Sequence, residues 1–169
     1  MQHPPPDTRD LTFVIEAGCQ QCGFSQQPAE QTGDRLRAAI PRWQAALSRP
    51  DAASRPIPTV WSVLEYGCHV RDVCQLYRQR LALMVAQDDP VFADWNQDVA
   101  AVQGQYHQQD PARVSQQLAA EAQATAAAFD AVTEWDRPGR RSNGSVFTIG
   151  TFAVYFLHDI EHHLHDVAG

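Results

Sequence analysis

The sequence predicts an all-α protein: a four-helix bundle preceded by a short extended segment that carries a CxxC motif. Three observations predict it. Four stretches repeat apolar residues every three to four positions, the period of one helix face. Breaks rich in Pro, Gly, Ser and Asn separate them. Beyond one short apolar run near the start there is no second strand-rich region and no internal repeat. A chain of 169 residues fits one domain, and folding at that size removes roughly 70% of the unfolded surface from water, enough for a real core.

The elements follow in order. Residues 1–10, MQHPPPDTRD, are polar and Pro-rich, which predicts a disordered start. LTFVIEAGCQQCGF, 11–24, begins as an apolar run and ends in a Gly/Cys turn, so an extended segment leading into a CxxC knuckle is expected. Leu36, Ile40, Trp43, Ala46 and Leu47 place the first bundle helix at 34–48, with Pro41 either kinking it or delaying its start. The Pro-rich 49–58 is a connector. The second helix spans 59–87, with Thr59 as its cap and apolar residues around much of its circumference, as befits a central helix. A loop with a short helix follows. Asp110 as cap and Pro111 at the first position open the third helix, 111–135, whose stripe is Val114, Leu118, Ala122, Ala126, Phe129 and Val132. DRPGRRSNG, 136–144, breaks the chain before the last helix, 148–167. The expected division is an N-terminal extension with the CxxC knuckle over 1–33 and the bundle over 34–169.

Charge narrows the function. The net charge is −7 with histidine neutral, and the densest basic group, Arg137, Arg140 and Arg141, has Asp136 beside it. Nucleic-acid and anionic-membrane surfaces need a basic face, so neither is an expected partner. The N-terminus lacks the basic and apolar regions of a secretory signal, and no window reaches the ~20 apolar residues of a membrane span. A cytoplasmic protein acting on a small molecule is the expectation, with a homodimer left open.

HDIEHHLHDV, 158–167, concentrates the chemistry. Four of the seven histidines lie within it, among carboxylates. Residues four apart share a helix face, so His158 with His162, Asp159 with His163, and His162 with Asp166 could each grip one ion, but not all at once. Phe152, Phe156, Ile160, Leu164 and Val167 should face the core. Asp159 and His163 continue the line of Phe152 and Phe156, and are the preferred ligands. His158 and His162 fall on the line of Tyr155, nearer a flank, with His162 a flanking or supporting group; His165 is opposite and solvated. A catalytic zinc takes three protein ligands and keeps an open position. The third is expected from His69 on the second helix, with Asp72 one turn on to orient its ring. A His/His/Asp set suits zinc first, with nickel, iron or manganese as alternatives, over magnesium or calcium. The competing view of such a cluster is a solvated, dipole-compensating helix end.

VLEYGCHVRDV (63–73) and LHDIEHHLHDV (157–167) resemble the corresponding motifs of the DinB-like (DinB/YfiT) superfamily, over about residues 34–167. The resemblance implies a bundle with a three-ligand metal site. The family's second motif is similar to HxxHH followed three residues later by Gln or Asp. Matching Asp166 to that last position puts His163 at the last ligand and Asp159 at the first, an aspartate where histidine is usual. The mycothiol-dependent maleylpyruvate isomerase-like branch has a glutamate there, which makes it the closest in motif. In such branches the metal ionises a low-molecular-weight thiol such as mycothiol or bacillithiol, which is then transferred or used as a cofactor.

Two features stand apart. Cys19 and Cys22 form a single CxxC: half a metal site completed by a distant ligand or second subunit, a redox pair, or reduced structural thiols. Cys68 and Cys74 lie ~9 Å apart along one helix, too far to bridge. Arg140 and Arg141 could bind a substrate carboxylate or phosphate, or simply lie in a solvated loop. Trp61, Tyr66 and Phe156 could line an apolar pocket or belong to the core. The leading expectation is a metal-dependent thiol transferase or isomerase. The alternatives are a non-catalytic, metal-stabilised binding or stress-response module and a metal-dependent hydrolase.

Overall fold

The computed structural model describes residues 11–169; the Pro-rich opening, and the readings made of it, lie outside the described residues. Four long helices form the bundle: α2 (Thr32–Leu47), α3 (Val63–Ala86), α5 (Pro111–Asp130) and α6 (Ile149–Asp166). α5 packs on both α2 and α3, and α6 touches the same two helices. The centre is aromatic. Tyr77 stacks on Phe152 at 4.5 Å and lies 5.0 Å from Phe156, which stacks in turn on Phe129. Phe156 is thus core, one turn before Asp159 on the same face of α6.

Helix starts follow the side chains that satisfy the first free N–H groups. Asp110 caps α5 with Pro111 in the first turn, as the sequence predicts. Thr148 caps α6 and exchanges hydrogen bonds with Thr151. α3 begins at Ser62, not at Thr59. Ser62-x-x-Glu65 is a capping box: the Ser62 hydroxyl accepts from the Glu65 N–H, and the Glu65 carboxylate accepts from the Ser62 N–H at 2.9 Å. Thr59 has only Ser62 at the reciprocal position. The Glu65 carboxylate is also gripped by Arg55 through two nitrogens, with both side chains largely buried. α2 begins at Thr32 and runs through Pro41, so the proline does not delay it.

The N-terminal segment differs from expectation. Within LTFVI only Val14 is fully buried, so a strand here would leave its backbone groups unpaired. Instead α1 (Val14–Ala17) makes one helical turn that satisfies them internally. Gly18 ends it at φ +69°, and a Cβ there would stand 2.5 Å from the Phe24 carbonyl oxygen. The Cys19 N–H then donates to that oxygen and the Gly23 N–H to the Cys19 carbonyl, both at 2.9 Å, closing the CxxC into a tight loop. The segment lies on α6.

A small sheet joins the bundle. β1 (Val91–Phe92) pairs parallel with β2 (Pro138–Arg141), which pairs antiparallel with β3 (Val146–Thr148). The expected break at 136–144 is therefore a hairpin; strands of two to four residues are too short to show a period. α4 (Gln97–Gln103) is the expected short helix between the second and third bundle helices. No helix among the described residues is long and apolar enough to cross a membrane.

Candidate metal centre

His69 comes from α3 and Asp159 and His163 from α6, and their ligand atoms lie within 4.8 Å of one another. Nε2 of His69 is 3.5 Å from the Asp159 carboxylate, and Nε2 of His163 is 3.4 Å from its other oxygen. Both exceed good hydrogen-bond lengths. Each is close to the edge of a metal tetrahedron, about 3.4 Å for ligands ~2.1 Å from one ion, with the two imidazoles meeting different oxygens of the carboxylate. His69 is 1% exposed, and neither ring nitrogen has a hydrogen bond. A buried imidazole left without partners is costly, and a cation between it, Asp159 and His163 would supply the missing one. The residues therefore fit a divalent metal.

Electrostatics agree. Burial lowers the His69 pKa and keeps the ring neutral, as a ligand must be. Burial opposes ionisation of Asp159, but His163 and His69 overcome it and hold the carboxyl far below its ordinary value. Burial also works against a charged His163, yet Asp159 and Asp166 outweigh it and push that imidazole up to about 9. Metal binding at His163 would therefore have to displace its proton.

Aromatic rings surround the triad. Trp95 stacks on His69 at 5.6 Å, Tyr66 packs on His163 at 5.0 Å, and Trp61 touches both His69 and Tyr66. Asp159 and His163 are only partly buried, so solvent reaches the site past them. Trp61 and Tyr66 take the first of the two places the sequence left open for them, beside the triad, and Phe156 the second. Trp95 comes from the irregular stretch before α4, where no periodicity marks it.

The groups expected to support the ligands are arranged otherwise. Asp72 does not orient His69: its carboxylate takes the Tyr106 hydroxyl and the Arg71 guanidinium, and His69 Nδ1 has no hydrogen bond. The supporting carboxylate is Asp166. One oxygen meets His163 Nδ1 at 2.9 Å and leaves Nε2 to face the triad; the other lies 3.8 Å from His162 Nε2. Such outer carboxylates fix ring orientation and raise basicity. Asp166→Ala is expected to weaken metal binding at the triad about 10–100-fold, read by competition against a chromophoric chelator. Cys68, next to His69 in sequence, turns to the Tyr106 carbonyl, and burial pushes its thiol up to about 12.

His162 stands beside the triad through Asp166 and turns its other nitrogen away from it. With His158 it faces the CxxC loop, and Cys19, Cys22, His158 and His162 form a second group whose ligand atoms lie within 4.8 Å of one another. His158, which sequence reasoning left on a flank, is 2% exposed. Burial, and next the neighbouring His162, lower its pKa to about 4. Arg140 and Arg141 lie on β2, not in an open loop, and pair with Asp89 and Asp94. An anion there would have to displace those carboxylates.

Comparison with known proteins places the fold. Among solved structures the chain matches YfiT from Bacillus subtilis, described as a probable metal-dependent hydrolase with an unusual four-helix bundle topology. The TM-score is 0.76 at 13% identity, over 86% of this chain and 87% of that one. No curated protein matches. The family model of the DinB superfamily matches residues 29–167, which takes in all four bundle helices and both motifs. The chain belongs to the DinB superfamily.

Proposed function

We propose that this is a metal-dependent enzyme in which His69, Asp159 and His163 hold one divalent ion, zinc first, and that it transfers or isomerises through a low-molecular-weight thiol. The observation that carries the metal is the buried His69 ring, without a hydrogen bond and set at tetrahedral-edge distance from Asp159. A bound metal supplies Lewis acidity, lowering the pKa of a thiol or water that reaches its open position. The chain does the rest. Asp166 holds the His163 ring. Trp61, Tyr66 and Trp95 exclude bulk water from one side of the triad and offer apolar contact to a thiol's carrier or an electrophile. Three ligands leave a position for substrate, which favours catalysis over a closed structural site.

The thiol reading is supported by the motif with a carboxylate at the first ligand position, as in the isomerase-like branch. Hydrolysis is the second reading, favoured by the YfiT likeness and by the same open position. Turnover of candidate electrophiles with and without added mycothiol or bacillithiol separates the two. The proposal expects turnover only with thiol, lost in Asp159→Ala. Thiol-independent cleavage of esters or amides, also lost in that variant, would replace it by the hydrolase.

A further inference from the structure

The CxxC loop and the flank of α6 make a site that the triad does not use. We propose that Cys19, Cys22, His158 and His162 bind a second zinc ion in a closed tetrahedral site that clamps the N-terminal segment onto α6. Two sulfurs and two imidazoles are a donor set that selects zinc among common divalent ions. The spacing fits. Cys19 Sγ lies 3.7 Å from His162 Nδ1. Ligands 2.3 Å and ~2.0 Å from one ion at tetrahedral angles stand about 3.6 Å apart.

Each residue is placed by a separate local device. Gly18 and Gly23, both at positive φ, turn the loop so that both cysteines face α6 within reach of its imidazoles. His158 and His162 are one helical turn apart. Nε2 of His158 is buried and has no hydrogen-bond partner, while Phe24 packs edge-on against that ring at 5.3 Å. Cys19 and Cys22 are not joined to one another as a disulfide. Binding releases the two thiol protons and leaves the histidines neutral. With four protein ligands there is no open position, so the site is structural. Such an ion would fasten to the bundle a segment that has one helical turn and buries little beyond Val14, Cys19 and Phe24.

The two sites are neighbours without sharing a ligand. His162 and His163 are consecutive, about 100° apart around the helix, and their rings stand at 81° with centroids 6.0 Å apart. His163 serves the triad and His162 the CxxC, with Asp166 touching both. The inference does not depend on the proposed reaction.

The test is cobalt titration of the reduced, metal-stripped full-length protein, followed by absorbance and metal content. The expected result is two equivalents, one of them bringing a thiolate-to-cobalt charge-transfer band and strong tetrahedral bands. The Cys19→Ser, Cys22→Ser double variant should lose that band and one equivalent while keeping the other. His69→Ala should do the reverse, so failure at one site is distinguishable from failure at the other. Should a variant not fold, the wild-type chain still decides the matter: zinc must protect two thiols from an alkylating reagent, and chelator must expose them. Absence of the charge-transfer band in wild type, or its persistence in a His158→Ala, His162→Ala variant, overturns the site.

Discussion

His69→Leu should abolish metal binding at the triad and, in the presence of chelator, leave the protein as stable as wild type or more so. The two halves have one cause. In the metal-free chain the imidazole is 1% exposed, neither nitrogen has a hydrogen bond, and Nε2 has only the 3.5 Å contact with Asp159. A buried polar group in that condition costs about 1–3 kcal/mol, and leucine removes it at similar size. Asp159 keeps its contact with His163 after the change. With metal the order reverses. Free metal at a thousand times its dissociation constant stabilises wild type by about 4 kcal/mol, and the variant gains nothing from that site. Denaturant unfolding with and without metal measures both. A variant that is weakened in chelator yet keeps the full metal response would show His69 to be an ordinary core residue.

Glu65→Ala should cost about 3–5 kcal/mol, the usual result of leaving one partner of a buried ion pair alone. The Glu65 side chain is 4% exposed and receives Arg55, the Ser62 hydroxyl and the Ser62 N–H. Its loss takes the carboxylate from the guanidinium, which keeps the Pro58 carbonyl, and undoes the capping box at the start of α3, one turn before His69. Acid should act the same way. Burial alone would raise the Glu65 pKa, but Arg55 and Ser62 more than compensate and lower it. Because the folded value lies below the unfolded one, this stability is complete above the ordinary glutamate range and drains away as pH falls through the folded value. Unfolding midpoints from neutral pH downward should fall more steeply for wild type than for Glu65→Ala; parallel curves would count against the pair.

The bundle was legible because its signals are local and repeated. Leu36 to Leu47 and Val114 to Phe129 mark buried faces by spacing alone, and Asp110-Pro111 announces a helix start. The meeting of His69, Asp159 and His163 was legible for a related reason: Asp159 and His163 lie on the line of Phe152 and Phe156, so burial of the aromatics turns those two side chains inward. What escaped depends on contacts between distant residues. The pair His158 and His162 was visible at one-turn spacing, and so was half a knuckle at Cys19 and Cys22. Nothing local says that a loop about 140 residues earlier folds back onto that flank. Asp72 sits at the right interval to hold His69, but Tyr106, from a loop 34 residues on, takes its carboxylate. Trp95 stacks on His69 from a stretch with no period at all.

The central claim is that α3 and α6 together hold a cation through His69, Asp159 and His163. The most direct measurement is metal content of the purified full-length protein beside that of His163→Ala, prepared identically. The account predicts that the variant lacks one equivalent that wild type carries and keeps whatever the cysteine site holds. Equal metal in the two proteins would contradict it.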